Sequence, residues 1–488
     1  MTTIYQPFLI GILLSILSVT MIIPVTFSLY YSNSDWKAFL ISAFITCFSG
    51  VSLVITNKTN MQIGIKEAFL MTTMAWLSLS CFASLPFIFS NQGINIVDAL
   101  FESVSGITTT GATVFYNLDN MPRGILIWRA ILQWLGGIGI IVIAMAVLPM
   151  LKIGGMQLFR TESSDRSDKI IMRATQISGT IGLLYLFATF ACFICLLLAG
   201  LEIFDAIAHA LTTVSTGGFS THDASIGYYD SFTVEAIVAF FMILASIPFI
   251  LYIQLLNNAK NMKIFDDQVR FFFIVLISSI IIVTYWLYTH NDFDLLQSFR
   301  YSFFNIVSIL TTGGFASTDY NSWGPSIITF IFMLGVIGGC TGSTSGGIKI
   351  FRFIILYQTA KLQVYKLIKP HGIFNANFNG RKISESVKLS VMSFFILFTF
   401  CFLILSILLS FTEMDFLTSM SAAASSISNL GPGLGEIIGP AGNYSTVSNA
   451  AKWILMFGMI LGRLEIFTIF VLLSAIFWED NKLFNISR

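Results

Sequence analysis

The sequence predicts an all-α integral membrane protein with ten transmembrane helices and four re-entrant helices that enter the membrane without crossing it. Three observations carry this prediction: the composition, the recurrence of long apolar runs, and a pattern repeated four times between those runs. Of the 488 residues, 56% are hydrophobic and 10% are charged. An ordinary soluble domain has roughly 45–50% apolar and about 25% charged residues, so a soluble core could not bury this much apolar surface.

Apolar runs long enough to cross a hydrocarbon layer of about 30 Å recur along the chain. No basic residue precedes Lys37, and the first run is longer than a typical signal-peptide core, so we expect a retained helix there. The six cysteines lie in or beside these runs, which disfavours a disulfide framework or an exposed metal cluster. The runs span roughly 5–30, 36–56, 67–90, 126–151, 176–200, 233–256, 271–289, 324–350, 389–411 and 452–477.

Basic residues concentrate on one side when the ten runs are assigned to alternate sides of a membrane. Only five of them fall on the other side: Lys37, Arg123, Arg129, Arg300 and Lys452. By the positive-inside rule the richer side is cytoplasmic, which places both termini in the cytoplasm. The basic loops then either reflect topology alone or also dock a partner.

A short, half-apolar segment followed by a glycine turn occurs four times, each time in a connection on the predicted outer side. The segments read DALFESVSGITTTGATVF, DAIAHALTTVSTGGFSTHD, SFRYSFFNIVSILTTGGFAST and DFLTSMSAAASSISNLGPGLG. We align their turning glycines as Gly111, Gly217, Gly313 and Gly431, so the pattern recurs about every hundred residues and forms an internal repeat. The predicted organisation is two N-terminal helices in 1–62 and four repeats at 63–160, 161–262, 263–368 and 369–488.

Backbone that leaves a helix inside hydrocarbon is tolerated only where it is buried in protein or lines water. We therefore expect the four segments to meet around a central ion pathway. The negative dipole ends of their short helices, roughly at 96–105, 204–214, 299–309 and 416–427, would point at this pathway. Inward-facing oxygens could then replace the hydration shell of a monovalent cation. The candidate ligands are Thr109, Thr110, Gly111, Ser215, Thr216, Gly217, Thr311, Thr312, Gly313, Asn429, Leu430 and Gly431.

Three motifs give the chain a resemblance to a known family. STGGF at 215–219, TTGGF at 311–315 and NLGPGLG at 429–435 make it similar, over essentially its whole length, to the TrkH/KtrB/HKT cation transporters. The resemblance implies a pseudo-fourfold helix–pore-helix–helix fold. It also implies potassium as the transported ion, because family members with glycine at the filter position of every repeat are potassium-selective. Leu430, where the other repeats have threonine, implies a ring that is only approximately fourfold.

The stretch GVIGGCTGSTSGGIKIFR, from Gly335 to Arg352, is expected to interrupt the run at 324–350. Glycine costs up to about 1 kcal/mol relative to alanine in a helix interior. The resemblance implies an intramembrane gating loop here, and close helix packing through small residues is the alternative. For the arginine of the last helix, the resemblance implies an electrostatic barrier below the filter, and an ion pair with Glu465 is the alternative. The candidate gating residues are Gly338, Gly339, Gly342, Gly346, Gly347 and Arg463.

Other ionisable residues carry less information. We expect His209 to be a structural histidine rather than a ligand. Carboxylates on the predicted outer side could concentrate cations at the mouth or could simply be solvated: Asp98, Glu102, Asp205, Asp294, Asp319, Glu413 and Glu436. No acid–base or nucleophile constellation suggests an enzyme, and we expect no organic cofactor.

The resemblance further implies a homodimer in the bacterial inner membrane, with a separate cytosolic nucleotide-binding regulatory subunit similar to TrkA. We expect the basic loops at 257–270 and 352–388 to dock that subunit, and we expect no nucleic acid partner. The rival interpretation is a secondary solute carrier with broken helices, which predicts a twofold, often inverted repeat. Four interruptions in one orientation favour the ion pathway, whether flux is passive or coupled as symport with protons.

Overall fold

The computed structural model describes residues 6–57, 65–142, 167–257 and 266–478, and these ranges are mostly helical with almost no strand. The predicted repeat boundaries at 62, 160 and 262 lie outside the described residues, as do the end of the run 126–151 and most of the loop 257–270. So do several of the basic residues assigned to the cytoplasm: Lys58, Lys152, Arg160, Arg166, Lys260, Lys263, Lys482 and Arg488.

The chain begins with two spans that precede the repeats. Helices α1 (Gln6–Thr20) and α2 (Ile22–Tyr30) form the first span, and α3 (Trp36–Thr56) forms the second. Helices α1 and α3 approach closely at Gly11 and Gly50. A Cβ atom at Gly50 would lie 2.7 Å from Ser15 Oγ. Small residues allow such close packing between membrane helices.

Four groups of helices follow, each with a first span, a short helix that does not span and one to three further helices. The first has α4 (Ile65–Ala83), α5 (Leu85–Phe89), α6 (Ile96–Ile107) and α7 (Arg123–Val142), and α4 and α5 together form its first span. The second has α8 (Ser167–Leu198), α9 (Ile203–Val214), α10 (Phe232–Ser246) and α11 (Phe249–Asn257). The third has α12 (Asp267–His290), α13 (Leu295–Leu310), α14 (Pro325–Ile337) and α15 (Ile350–Ile368). The fourth has α16 (Glu385–Ser410), α17 (Phe416–Ser428), α18 (Asn449–Arg463), α19 (Phe467–Leu473) and α20 (Ala475–Trp478).

The short helices α6, α9, α13 and α17 lie where the sequence predicts them. Polar side chains start three of them: Asn95, Asp294 and Asp415 each accept a hydrogen bond from a backbone N–H three residues further on. A helix of 12 residues, such as α6, is about 18 Å long at 1.5 Å per residue, too short to cross about 30 Å of hydrocarbon. The prediction of short, non-spanning helices is therefore confirmed.

Several of the last helices in these groups are broken. In the described ranges, 7 helical stretches are long and apolar enough to span a membrane, or up to 9 if each bent pair counts as one. Helices α10 and α11 meet at 87°, and α18 and α19 at 109°, so the predicted runs 233–256 and 452–477 are not straight helices. The run 324–350 is also not one helix, because α14 ends at Ile337 and residues 338–349 are non-helical.

Each break has a local backbone cause. Pro248 follows Ile247, whose ψ of 146° is extended as expected for a residue before proline. Glu465 and Ile466 have φ values of 59° and 49°, outside the helical region. Gly338 ends α14 with φ 74°. The chain therefore turns at fixed points rather than by gradual bending.

Helix α7 lies at the centre of the bundle. Of the 18-residue window that best qualifies it as a span, 78% is buried, against 22–39% for the other long spans. It carries the buried polar residues Arg129 and Gln133. A helix this enclosed can present polar side chains to a central site instead of to lipid.

A small hairpin joins α15 to α16. Strands β1 (Asn377–Phe378) and β2 (Arg381–Lys382) pair antiparallel. The turn residue Asn379 accepts a hydrogen bond from the backbone N–H of Asp267 at 2.8 Å and donates its own N–H to the Asp267 carboxylate at 2.6 Å. The hairpin is thereby attached to the start of α12.

Candidate ion pathway

The four short helices end in the same hydrogen-bonded motif. A backbone N–H reaches back to a carbonyl oxygen five residues earlier: Thr110 to Ser105, Gly217 to Thr212, Gly313 to Ser308 and Leu430 to Ser425. The residue before each donor is left-handed, with φ 53° at Thr109, 49° at Thr216, 54° at Thr312 and 52° at Asn429. This is a Schellman helix end. A positive φ is unusual for the β-branched threonine, so the surrounding structure must hold these three residues in place.

The helix ends fix which residues of the four repeats are equivalent. The next left-handed residues are glycines, with φ 85° at Gly111, 84° at Gly218, 74° at Gly314 and 105° at Gly431. The sequence alignment, which paired Gly111 with Gly217 and Gly313, was therefore wrong by one residue in the second and third repeats. Each TGG sequence offers two glycines, and only the backbone conformation shows that the second one matches Gly111.

The four turns close a ring. A Cβ atom added at Gly111 would lie 2.1 Å from the carbonyl oxygen of Gly217, and one at Gly218 would lie 2.4 Å from that of Gly313. In the same way, a Cβ atom added at Gly314 would lie 2.5 Å from the carbonyl oxygen of Leu430, and one at Gly431 would lie 2.6 Å from that of Thr110. Each glycine thus packs against one backbone carbonyl group of the next repeat. A larger residue at any of these positions would push that carbonyl group out of place. The C-terminal, negative ends of the four helix dipoles adjoin this ring.

Most of the predicted hydroxyl ligands are engaged by the protein itself. Ser215 Oγ and Thr311 Oγ1 donate back to carbonyl oxygens of their own short helices. Thr216 Oγ1 donates to the carbonyl oxygen of Ser215 and lies 3.1 Å from Thr344 Oγ1. Thr312 Oγ1 accepts the N–H of Gly346 at 2.6 Å. These hydroxyls hold the helix ends and the segment beyond them, so backbone carbonyl groups are the better candidates for contact with an ion.

An open cavity lies on one side of the ring, the side predicted to be extracellular. Its lining includes all four ring glycines together with Asp223 and Tyr444. Most of the carboxylates expected near this mouth have structural partners: Asp98 binds Lys452, Glu102 binds Arg129, and Asp205 accepts from Thr221. Asp294 and Asp319 accept hydrogen bonds from backbone N–H groups near the starts of their helical segments.

The buried pair of Glu102 and Arg129 links the first two repeats. Arg129 Nε donates to Glu102 Oε1 at 2.7 Å, and both side chains are almost fully buried. Glu102 also accepts the N–H of Val114, while Arg129 donates to the carbonyl oxygen of Ser220. His209 is likewise structural, with its ring nitrogens hydrogen-bonded to the carbonyl oxygen of Asp205 and to Ser220 Oγ, which agrees with the expectation from sequence.

On the opposite side of the ring from the cavity lies the glycine-rich segment 338–349, which we call the inner loop. The loop makes hydrogen bonds to the helix ends of three repeats. Gly346 binds Thr312 of the third repeat, Thr344 binds Thr216 of the second, and the N–H of Gly347 donates to the carbonyl oxygen of Ser428 of the fourth at 2.8 Å. The loop is non-helical and tightly packed, so its glycines do not serve helix-to-helix packing.

Four of the five candidate gating glycines, Gly338, Gly339, Gly346 and Gly347, make contacts that leave no room for a Cβ atom. A Cβ at Gly338 would lie 2.1 Å from the carbonyl oxygen of Gly346, and one at Gly346 would lie 2.2 Å from that of Ser428. Gly342 accepts the N–H of Phe249 through its carbonyl group, which ties the loop to α11. Gly339 packs against Ser345 and Gly347 against Gly338.

Arg463 lies beside the inner loop at the end of α18. Its side chain is 3% exposed and donates hydrogen bonds to the carbonyl oxygens of Thr344 at 3.3 Å and Gly136 at 3.2 Å. The alternative pairing with Glu465 is wrong, because that carboxylate binds Arg352 instead. Within the described residues, Arg463 Nε has no hydrogen-bond partner.

Two buried polar residues near the ring were not singled out from the sequence. Gln133 contacts the second repeat at Gly217 and Phe219, and Arg352 forms the ion pair with Glu465. The signal for both was a polar side chain within or beside an apolar run, where such residues are expensive and usually functional.

The fold and the ring together define a multi-pass helical membrane protein with four re-entrant helices around a central ring of glycine turns. Residues 36–486 match the sequence model of the family TrkH, described as "Cation transport protein". The chain belongs to this family of transport proteins, which are not enzymes.

Individual relatives agree over nearly the full length. The chain is 38% identical over 473 residues to the Trk system potassium uptake protein TrkI of Halomonas elongata, covering 96% of each chain. It is 36% identical over 479 residues to the Trk system potassium uptake protein TrkH of Escherichia coli K12, covering 97% of this chain and 98% of that one. The crystal structure of the potassium transporter TrkH from Vibrio parahaemolyticus superimposes with a TM-score of 0.91 at 34% identity, over 98% of this chain and 100% of that chain.

Proposed function

We propose that this protein takes up potassium ions through the ring formed by Thr110–Gly111, Gly217–Gly218, Gly313–Gly314 and Leu430–Gly431. The observation that carries the proposal is the closed cycle of glycine-to-carbonyl contacts between successive repeats. Rings of backbone carbonyls replace the hydration shell of a permeating cation, and the adjoining helix C-termini favour positive charge. The names of the relatives specify potassium as the cargo.

Leu430 is compatible with this role despite its apolar side chain. A Cβ at Gly335 would lie 2.7 Å from Leu430 Cδ2, so the leucine side chain occupies the space that this glycine leaves open in α14. Its carbonyl group packs against Gly314 as the equivalent carbonyls do in the other repeats. In our proposal all four repeats therefore supply a backbone oxygen. The glycines equivalent to Gly111 in the second and third repeats are Gly218 and Gly314, instead of Gly217 and Gly313 as aligned from the sequence.

We further propose that the inner loop and Arg463 form the closed gate of this pathway. The loop bonds to the helix ends of three repeats, so an ion leaving the ring on this side meets it first. The guanidinium group beside Thr344 adds a buried positive charge on the same side. A charge at this depth costs several kcal/mol to bury, and a barrier function would account for its presence.

The same proposal includes an orientation and partners. The excess of basic residues favours both termini in the cytoplasm of a bacterial inner-membrane protein. We retain a homodimer and a cytosolic nucleotide-binding subunit similar to TrkA as proposed partners. Helix α15 leads directly out of the inner loop, so a subunit that binds residues 352–388 could displace the loop by moving this helix. The rest of the proposed docking surface, 257–270, lies mostly outside the described residues.

Reconstitution tests the transport function. The purified protein in liposomes should conduct potassium in preference to sodium, measured as ion flux with matched outward gradients. Repeating the measurement with and without a proton gradient, at a clamped membrane potential, separates passive flow from symport, because only symport then accumulates potassium against its own electrochemical gradient. Equal fluxes of potassium and sodium would contradict the proposed selectivity. No flux of either ion, both in the folded wild type and in folded protein with a deletion within 338–346, would contradict the transport function.

A further inference from the structure

The helix that follows the ring segment of one repeat packs directly behind the ring segment of the next repeat. Helix α7 of the first repeat lies behind Gly217, where a Cβ would be 2.3 Å from Gln133 Oε1. Helix α10 of the second lies behind Gly313, where a Cβ would be 2.3 Å from Met242 Sδ. Helix α14 of the third lies behind Leu430 and offers only Gly335. The residue behind the ring segment therefore differs between these three repeats: it is the amide of Gln133, the thioether of Met242 or the bare backbone of Gly335. The ring itself is nearly symmetric.

Gln133 makes two hydrogen bonds to the ring segment it backs. Its Nε2 donates to the carbonyl oxygen of Gly217 at 2.6 Å, and its Oε1 accepts the N–H of Phe219 at 3.0 Å. The side chain is fully buried. The two backbone partners fix the orientation of the amide, because reversing it would place its oxygen against a carbonyl oxygen and its NH2 group against an N–H.

The amide therefore holds both ends of the Gly217–Phe219 segment. Gly217 has no side chain of its own to restrict it, and Gly218 is left-handed. Glycine backbone is the most permissive in the chain, so without a contact from outside this segment could shift its carbonyl group. The side chain of Gln133 supplies that contact from another repeat.

We propose that Gln133 is a positioning residue that sets the discrimination between potassium and sodium at the second repeat. This inference rests on the proposed potassium function of the ring. A carbonyl oxygen that accepts an N–H from behind is restrained from moving towards the axis, and one of its lone pairs is already used. Selectivity in carbonyl rings depends on cavity size and on the number and field strength of the oxygens. A carbonyl oxygen that is held in place and has a lower field strength disfavours the smaller sodium ion, which needs closer ligands of higher field strength.

Two substitutions remove both hydrogen bonds and differ in the shape of the side chain that replaces the amide. Gln133→Met copies the residue that backs Gly313. Gln133→Leu keeps a branched, uncharged side chain of similar size. Thr189→Val is the matched control, because it removes the hydrogen bond that Trp134 Nε1, also on α7, donates at 3.1 Å to a residue away from the ring.

The measurement is the ratio of potassium to sodium flux in liposomes, with thermal stability recorded for each variant. Both Gln133 variants should lower the ratio by about fivefold, which corresponds to losing the one hydrogen bond that acts on the Gly217 carbonyl group, worth a net free energy of about 1 kcal/mol. Thr189→Val should leave the ratio unchanged. A merely structural role for Gln133 would lower both fluxes and the stability together without changing their ratio.

The outcome also distinguishes this inference from the proposed function on which it rests. If Gly218→Ser lowers the flux ratio but a folded Gln133→Met does not, Gln133 has no role in selectivity and the ring remains the filter. If Gln133→Met does not fold, an unchanged ratio in Gln133→Leu overturns the inference in the same way. If neither Gly218→Ser nor the Gln133 variants change the ratio, the ring itself is not the site of selection.

Discussion

The guanidinium group of Arg463 donates a hydrogen bond to the carbonyl oxygen of Thr344 in the inner loop, and the Thr344 hydroxyl in turn contacts that of Thr216 at the end of the second short helix. Helix α18, the inner loop and the ring are therefore connected through three residues. In the proposed gate, the charge of Arg463 and the packing of the loop act together, and separate substitutions distinguish their contributions.

Arg463→Ala should increase potassium flux severalfold, because it removes both a positive charge and a bond that holds the loop. Arg463→Gln keeps a hydrogen-bond donor without the charge and should give part of the increase. Flux in liposomes and thermal stability are measured for both variants. Stable Arg463→Ala protein that conducts no faster than the wild type would remove Arg463 from the barrier.

One methyl group added at Gly346 should displace the inner loop. A Cβ at Gly346 would lie 2.2 Å from the carbonyl oxygen of Ser428, so Gly346→Ala should push the loop from the fourth repeat and raise basal flux. Gly179→Ala is the control, since nothing lies within 4 Å of a Cβ there. Deletions within 338–346 should also raise flux. Lower flux in a folded Gly346→Ala variant would indicate that the loop supports the open pathway instead.

Arg352 and Glu465 should be coupled in stability. Arg352 is fully buried and binds the carboxylate of Glu465, so Arg352→Met leaves a buried charge without its partner and should destabilise the fold by about 3–5 kcal/mol. Adding Glu465→Gln should restore part of the loss. Thermal unfolding of both single variants and the double variant measures the coupling. Additive effects would show that the ion pair contributes little.

His222 should make stability depend on pH. Burial of its ring disfavours the charged form, but hydrogen bonds to Asp205 and Asp119 outweigh burial and raise the pKa of His222 above its usual value. A raised folded-state pKa contributes stability that is fully present below the unfolded pKa of about 6.5 and is lost as pH rises through the folded pKa.

Thermal unfolding between pH 6 and pH 9 should therefore show a decline that His222→Gln reduces. His371→Gln, at an exposed position, is the control and should keep the wild-type slope. Identical pH profiles for the wild type and His222→Gln would mean that the charged form of His222 does not stabilise the fold.

The sequence predicted the short helices to within a few residues, because their apolar faces, polar starts and glycine ends are local features. It misplaced the ring register in the second and third repeats, since either glycine of a TGG sequence satisfies the pattern and only the left-handed φ of Gly218 and Gly314 decides between them. It also could not pair Arg352 with Glu465 or Gln133 with Gly217. Those contacts join distant parts of the chain and depend on the packing of whole helices.

In our proposal, Gly111, Gly218, Gly314 and Gly431 are four equivalent positions of one selective ring. The most direct test introduces serine at each in turn and measures the ratio of potassium to sodium flux in liposomes. Gly200→Ser is the matched control, because Gly200 is also left-handed, with φ 97°, but has nothing within 4 Å of an added Cβ. We expect a lower ratio in every ring variant that folds and the wild-type ratio in Gly200→Ser. Wild-type ratios in the folded ring variants would contradict the claim.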